Sequence, residues 1–168
     1  MSSREPVRDE VDGLVEAWRR ERPDLDTTPM EVLSRISRLA QHLDRERVAA
    51  FGAHDLESWE FDVLVALRRS GPPYRLSPGQ LVHETFVTSG TMTNRVDRLE
   101  VRGWVVREDH PEDRRGVLVR LTASGAAVVD AALTDLLAAE RAILGPLGQA
   151  DQDHLIQALR TLLAPYAT

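Results

Sequence analysis

The chain's 168 residues are 42% hydrophobic and 29% charged, with a formal net charge of −6 and no cysteine. This balance suits a folded chain in water, long enough for one domain with appended helices, and the missing cysteines exclude disulfides, thiol redox sensing and cysteine–zinc sites. No apolar run approaches the roughly 18 residues of a membrane span, and the charged start MSSREPVRDEVDG has no apolar signal core, so the expected setting is the cytoplasm, with no membrane partner.

Residues 7–20 place Val7, Val11, Leu14, Val15 and Trp18 on one helical face, and Pro23 ends that helix. The stretch TTPMEVLSRISRLAQHL opens with Thr28 as expected N-cap, Pro29 at the first helical position and Glu31 three residues after the cap. Its stripe runs through Leu33, Ile36, Leu39, Ala40 and Leu43 until Gly52. Ser58 is the expected cap of a third helix, WEFDVLVALRRS, stopped by Gly71 and Pro72-Pro73. Ser77-Pro78-Gly79-Gln80 is a capping box that opens a short helix, PGQLVHE. After a brief turn, Thr88 caps TSGTMTNRVDRLEVRG, whose inner side is Met92, Val96, Leu99 and Val101. The runs WVVRE and VLVRL then read as two strands joined by a turn with Asp109, Pro111 and Gly116. Thr122 caps a long helix to about Leu144, and a last helix covers roughly 149–164.

The fold class expected from this order is mainly α with a small β-hairpin wing. Residues 57–122 form a winged helix-turn-helix, the order of a DNA-reading unit. An extra N-terminal helix spans 5–22, helices at 28–56 and 123–168 flank the winged part, and the whole of 1–168 reads as one domain. The flanking stripes exceed what one small winged module covers, so they are expected to build a homodimer interface. A helical bundle within one chain is the alternative.

Charge is uneven along the chain. All 21 basic residues are arginine, a bias that fits a GC-rich genome. Residues 88–120 hold seven arginines against six acidic residues, leaving a net −7 elsewhere. Local placement outweighs the total for nucleic-acid binding. Thr88, Ser89, Gly90, Thr91, Thr93 and Asn94 crowd the first turns of the 88–102 helix with small groups that can meet phosphates or base edges. Gly90 weakens that helix by about 1 kcal/mol relative to alanine, and a close backbone approach to DNA is one reason to keep it. Arg114 and Arg115 at the hairpin tip suit a narrow minor groove, with Asp113 placed to hold the turn. Ser77 and Arg98 complete the candidate DNA-contacting set.

The stretch GQLVHETFVTSGTMTNRVDRLEVRGWVVREDHPEDRRGVLVRLTASG resembles the MarR family of bacterial winged-helix transcription regulators. Its most specific piece is Asp113-x-Arg115 followed by Leu121-Thr122, and the likeness covers roughly residues 28–165. The resemblance implies a homodimer, acting as a repressor on a near-palindromic double-stranded DNA operator. The helix 88–102 would then lie in the major groove and Arg115 in the minor groove.

Trp18, Asp62, Arg95 and Arg107 form a second set. By residue chemistry alone, Asp62 pairs with one arginine as a brace and Trp18 packs in a core. The set also resembles the urate-responsive branch of the family, which includes relatives responding to aconitate-type acids. That likeness implies a pocket in which Trp18 is a wall, Asp62 orients the ligand, and Arg95 and Arg107 bind a small anion such as urate, trans-aconitate or citrate. One departure is Trp59, where glycine or another small polar residue often precedes the glutamate.

Other readings differ in kind. The same fold could respond to phenolic compounds or antibiotics, or serve as a protein-interaction module without DNA binding. Enzyme chemistry is not expected, because the five histidines are scattered and no HExxH, GxSxG or phosphate loop occurs. Neither a metal nor a cofactor is implied.

Overall fold

The computed structural model describes residues 8–113 and 116–166. Val7 and the first residues of the expected 5–22 helix lie outside them, as do Arg114 and Arg115 of the wing. The chain divides into two compact units, Met1–Arg45 and Glu46–Thr168.

The first unit holds α1 (Glu10–Glu21) and most of α2 (Thr28–Gly52). The first helix begins later than its apolar spacing suggests. Asp9 caps it by accepting the N–H of Val11 at 2.8 Å, and Asp12 returns the bond to the Asp9 N–H at 2.7 Å. Val11 and Val15 are its buried residues. Ion pairs tie α1 to α2: Arg35 meets Asp9 at 2.7 Å and Asp12 at 2.8 Å, and Arg38 pairs with Glu10. Thr28 is the first residue of α2 rather than its cap, and its N–H donates to the Asp26 carboxylate at 2.9 Å.

In the second unit, α3 (Ser58–Arg69), α4 (Pro78–Thr85) and α5 (Ser89–Val101) precede a three-stranded antiparallel sheet, followed by α6 (Ala123–Leu144) and α7 (Gln149–Leu163). The sheet order is β1 (Arg75–Leu76), β3 (Val117–Leu121), β2 (Val105–Asp109). The hairpin register pairs Val105 with Leu121 and Asp109 with Val117. Arg107 therefore sits mid-strand. The sequence pattern misses β1, which two residues are too short to announce. Glu57, not Ser58, is the N-cap of α3, with its N–H donating to Glu60 at 2.9 Å. The caps Ser77, Thr88 and Thr122 stand where their sequences put them.

The core of this unit is one apolar cluster. Phe51 and Phe61 stack at 4.1 Å between centroids, and Leu64, Leu67, Leu81, Met92 and Leu99 join them with essentially no exposure. Val119 and Leu121 bring the sheet to that cluster, and Val129 and Ala132 bring α6. Arg68 braces α3 against α6 through a two-pronged contact with Asp130, at 2.8 and 2.9 Å, and lies over the Tyr74 ring at 4.8 Å. Among the described residues, no helix is long and apolar enough to cross a membrane.

Candidate nucleic-acid interface

The turn between α4 and α5 is set by Phe86, whose φ of 53° and ψ of 39° place it in the left-handed region. Thr88 then starts α5, its hydroxyl accepting the Thr91 N–H at 3.3 Å and sharing a hydrogen bond with the Thr91 hydroxyl at 2.9 Å. Three buried residues, Met92, Val96 and Leu99, anchor one side of α5 in the core. Geometry then leaves Thr88, Ser89, Gly90, Thr91, Thr93 and Asn94 exposed. Thr93 returns its hydroxyl to the Ser89 carbonyl at 3.1 Å. Ser89 and Asn94 make no side-chain hydrogen bond among the described residues, so their polar groups face water. A Cβ built on Gly90 would meet nothing within 4 Å. No internal contact therefore demands glycine there. Ser77 is half-buried and engaged in its cap with Gln80.

The arginines of α5 and β2 fall into distinct environments. Arg95 lies 5.5 Å over the Trp59 ring, and Arg98 lies 4.6 Å over the same ring. Arg98 also donates to Glu57, whose other oxygen accepts the Trp59 indole N–H at 2.7 Å. Arg102, just past α5, meets both oxygens of Glu60 at 3.1 and 3.0 Å and reaches Asp55 at 2.6 Å. Its guanidinium sits 3.6 Å over the Trp104 ring. Arg107 is held by Asp97 and Glu100 of α5, and its N–H donates to Glu100 at 3.0 Å. Burial alone would lower the Arg107 pKa, yet those two carboxylates raise it overall.

The sequence-derived ligand residues have separate partners. The apolar run around Asp62 suggests a costly burial, but its side chain is 45% exposed and faces Arg47 at 3.6 Å. The buried carboxylate is Glu60, which is 1% exposed. Arg95 has its indole and Arg107 its two acids. Trp18 belongs to the first unit and is 44% exposed. Glu57, Glu60 and Arg102 escape sequence reasoning, and Trp59 enters it only as a departure from the family pattern. The Glu57-x-x-Glu60 spacing at a helix start is the available signal.

At the wing, the turn is closed by backbone bonds, from the His110 N–H to the Gly116 carbonyl and from the Gly116 N–H to the Asp113 carbonyl, both at 2.9 Å. A polar-fronted helix anchored by its apolar side, followed at once by an antiparallel hairpin, defines a winged helix-turn-helix protein. A model of the MarR family matches residues 54–116. The HTH-type transcriptional regulator PecS of Dickeya dadantii is 40% identical over 146 residues, covering 87% of this chain and 88% of that one. The HTH-type transcriptional repressor NicR of Pseudomonas putida is 32% identical, covering 83% and 89% respectively. The crystal structure of a mutant MarR from E. coli complexed with operator DNA superposes with a TM-score of 0.65 and 28% identity, over 82% of this chain and 96% of that one. The chain belongs to the MarR family of transcriptional regulators, and these relatives are regulators rather than enzymes.

Proposed function

We propose that the chain works as a homodimer on a near-palindromic operator, represses transcription there, and is released by a small anionic metabolite. The observation that carries the DNA-binding part is the exposed start of α5, where Ser89 and Asn94 offer unengaged polar groups beside the open space at Gly90. That space lets the backbone come close to a phosphate, and the free groups read base edges. Arg115, with Arg114, serves the minor groove, and Asp113 steadies the turn.

Dimerisation rests on apolar side chains left in solvent. On α6 and α7 these include Leu137, Leu144, Leu155, Ile156, Leu162 and Leu163, too many for a helix end with no partner. Two-fold symmetry then asks for half-sites about one helical turn apart. Repression is the role that the name of the relative NicR carries.

The ligand reading takes Trp18, Asp62, Arg95 and Arg107 from the family resemblance. Urate and tricarboxylates such as trans-aconitate or citrate are the proposed class, because a planar guanidinium suits paired anionic oxygens. An anion recruiting Arg107 must take it from Asp97 and Glu100, the acids that tie β2 to α5. Release follows if the anion prefers the arrangement with that tie broken. The experiment is a titration of urate, citrate and trans-aconitate against the protein bound to a duplex from the DNA flanking its own gene. Release by one of them, abolished in Arg107→Ala while DNA binding persists, is the expected result. Release that survives this substitution removes Arg107 from the ligand set.

A further inference from the structure

Arg98 stands on α5 among the residues assigned to DNA, yet its guanidinium is already occupied. It donates to one oxygen of Glu57 and lies 4.6 Å over the Trp59 ring. The second oxygen of Glu57 accepts the Trp59 indole N–H at 2.7 Å. The three side chains thus close a small circuit: the indole orients the carboxylate, the carboxylate holds the guanidinium, and the guanidinium covers the indole. Two of them come from the start of α3 and one from α5. The circuit lies at the surface of the described residues, with the side chains of Arg98 and Glu57 52% and 56% exposed.

A carboxylate and a phosphate offer the same thing to a guanidinium, namely anionic oxygens that accept its N–H groups. We propose that Glu57 and Trp59 are positioning residues that set operator affinity by competing with a DNA phosphate for Arg98. Glu57 occupies the place of the phosphate in the free protein, and Trp59 keeps it there. DNA gains Arg98 only in exchange for that contact, so affinity is lower than the arginines of α5 would otherwise give. Trp59 is also the residue at which the sequence departs from the family pattern. The exchange rests on the DNA-binding reading above.

The test measures affinity of the full chain for a duplex carrying the near-palindromic site beside its own gene, at one fixed salt concentration. Glu57→Gln is expected to bind about two- to fivefold more tightly, the scale of one exposed ion pair. Trp59→Phe keeps a smaller aromatic face under Arg98, removes the indole N–H and leaves net charge unchanged. It should tighten binding in the same direction by a smaller factor. Both gains should vanish in an Arg98→Ala background, which isolates the pairwise effect. Equal gains with and without Arg98 would make Glu57 an ordinary surface acid and overturn the proposal. Unchanged or weaker binding by both single variants would overturn it as well. Because Glu57 also begins α3, thermal melts accompany each variant, and Trp59→Phe decides the matter if Glu57→Gln fails to fold. A wild-type chain that binds no such duplex sinks the DNA-binding reading itself, whereas binding with no response to these substitutions sinks only the exchange.

Discussion

The two ends of the β2–β3 hairpin are built by opposite means. At the base, Val105 and Leu121 are buried, the Trp104 carbonyl accepts the Thr122 N–H at 3.0 Å, and Arg102 covers the indole. At the tip, Pro111, Glu112 and Asp113 are exposed, and among the described residues backbone hydrogen bonds join His110 to Gly116 and Gly116 to Asp113. Packing against buried neighbours fixes the base, while hydrogen bonds to the backbone close the tip. Substitutions at the base should therefore read out as stability, and substitutions at the tip as binding.

Gly125 gives the largest expected effect. Its Cβ would stand 2.2 Å from the Trp104 carbonyl oxygen and 2.9 Å from a Leu121 methyl. A backbone oxygen in a paired turn cannot retreat as a flexible side chain would. Gly125→Ala should destabilise the chain by about 3 kcal/mol, the upper range for overpacking, as measured by urea unfolding. A loss under about 0.5 kcal/mol would mean that the base yields as freely as the tip.

Arg102→Ala comes next. It strands Glu60, which is 1% exposed, and uncovers Trp104. Removing one partner of an enclosed pair typically costs about 3–5 kcal/mol. Since Arg102 is itself 28% exposed, the loss should fall nearer about 2–3 kcal/mol. Arg102→Lys keeps the charge but not the two-pronged contact and should recover only part of it.

At the tip the readout should switch. Arg115→Ala is expected to change the unfolding free energy measured in urea by less than about 0.5 kcal/mol. Operator affinity should meanwhile fall by about 1–3 kcal/mol, the range for one arginine lost from a DNA contact. A variant that unfolds early but binds normally would reverse the assignment of the two ends.

Legibility in the sequence follows the same division. Helix caps with short side chains, such as Ser77, Thr88 and Thr122, are readable because the chemistry is local. Apolar spacing likewise finds the inner side of α5, though Val101 proves 89% exposed. Glu60 is not readable as the buried acid, because its burial depends on Arg102, 42 residues later. Asp62 lies in an apolar run of sequence, yet its side chain is 45% exposed and faces Arg47. The strand β1 escapes for a related reason: only its pairing with Arg120 and Val119 makes Arg75–Leu76 a strand. Candidate DNA contacts on α5 are legible as a run of small polar residues. That Arg95 and Arg98 share one indole is not, since Trp59 comes from another helix.

The Glu57–Trp59–Arg98 circuit is intermediate between the two ends. It joins two helices, as the base does, but it is exposed like the tip. Glu57 is held below the ordinary carboxylate range, first by the Trp59 indole N–H and then by Arg98. A carboxylate with a lowered folded-state pKa keeps its contact at neutral pH and at the pH where a free glutamate titrates. The contact is lost only as pH falls through the lowered value. The NMR signal of the Trp59 indole N–H should therefore titrate with a midpoint below that of an unpaired glutamate. Arg98→Ala should move that midpoint up, but only part of the way, because the indole bond is the larger cause. At neutral pH, Arg98→Ala should leave the urea midpoint nearly unchanged, since both groups stand in water. A midpoint at the ordinary glutamate value would mean that the circuit does not persist in solution. Circuit residues that did alter the urea midpoint would belong with the base of the wing rather than with its tip.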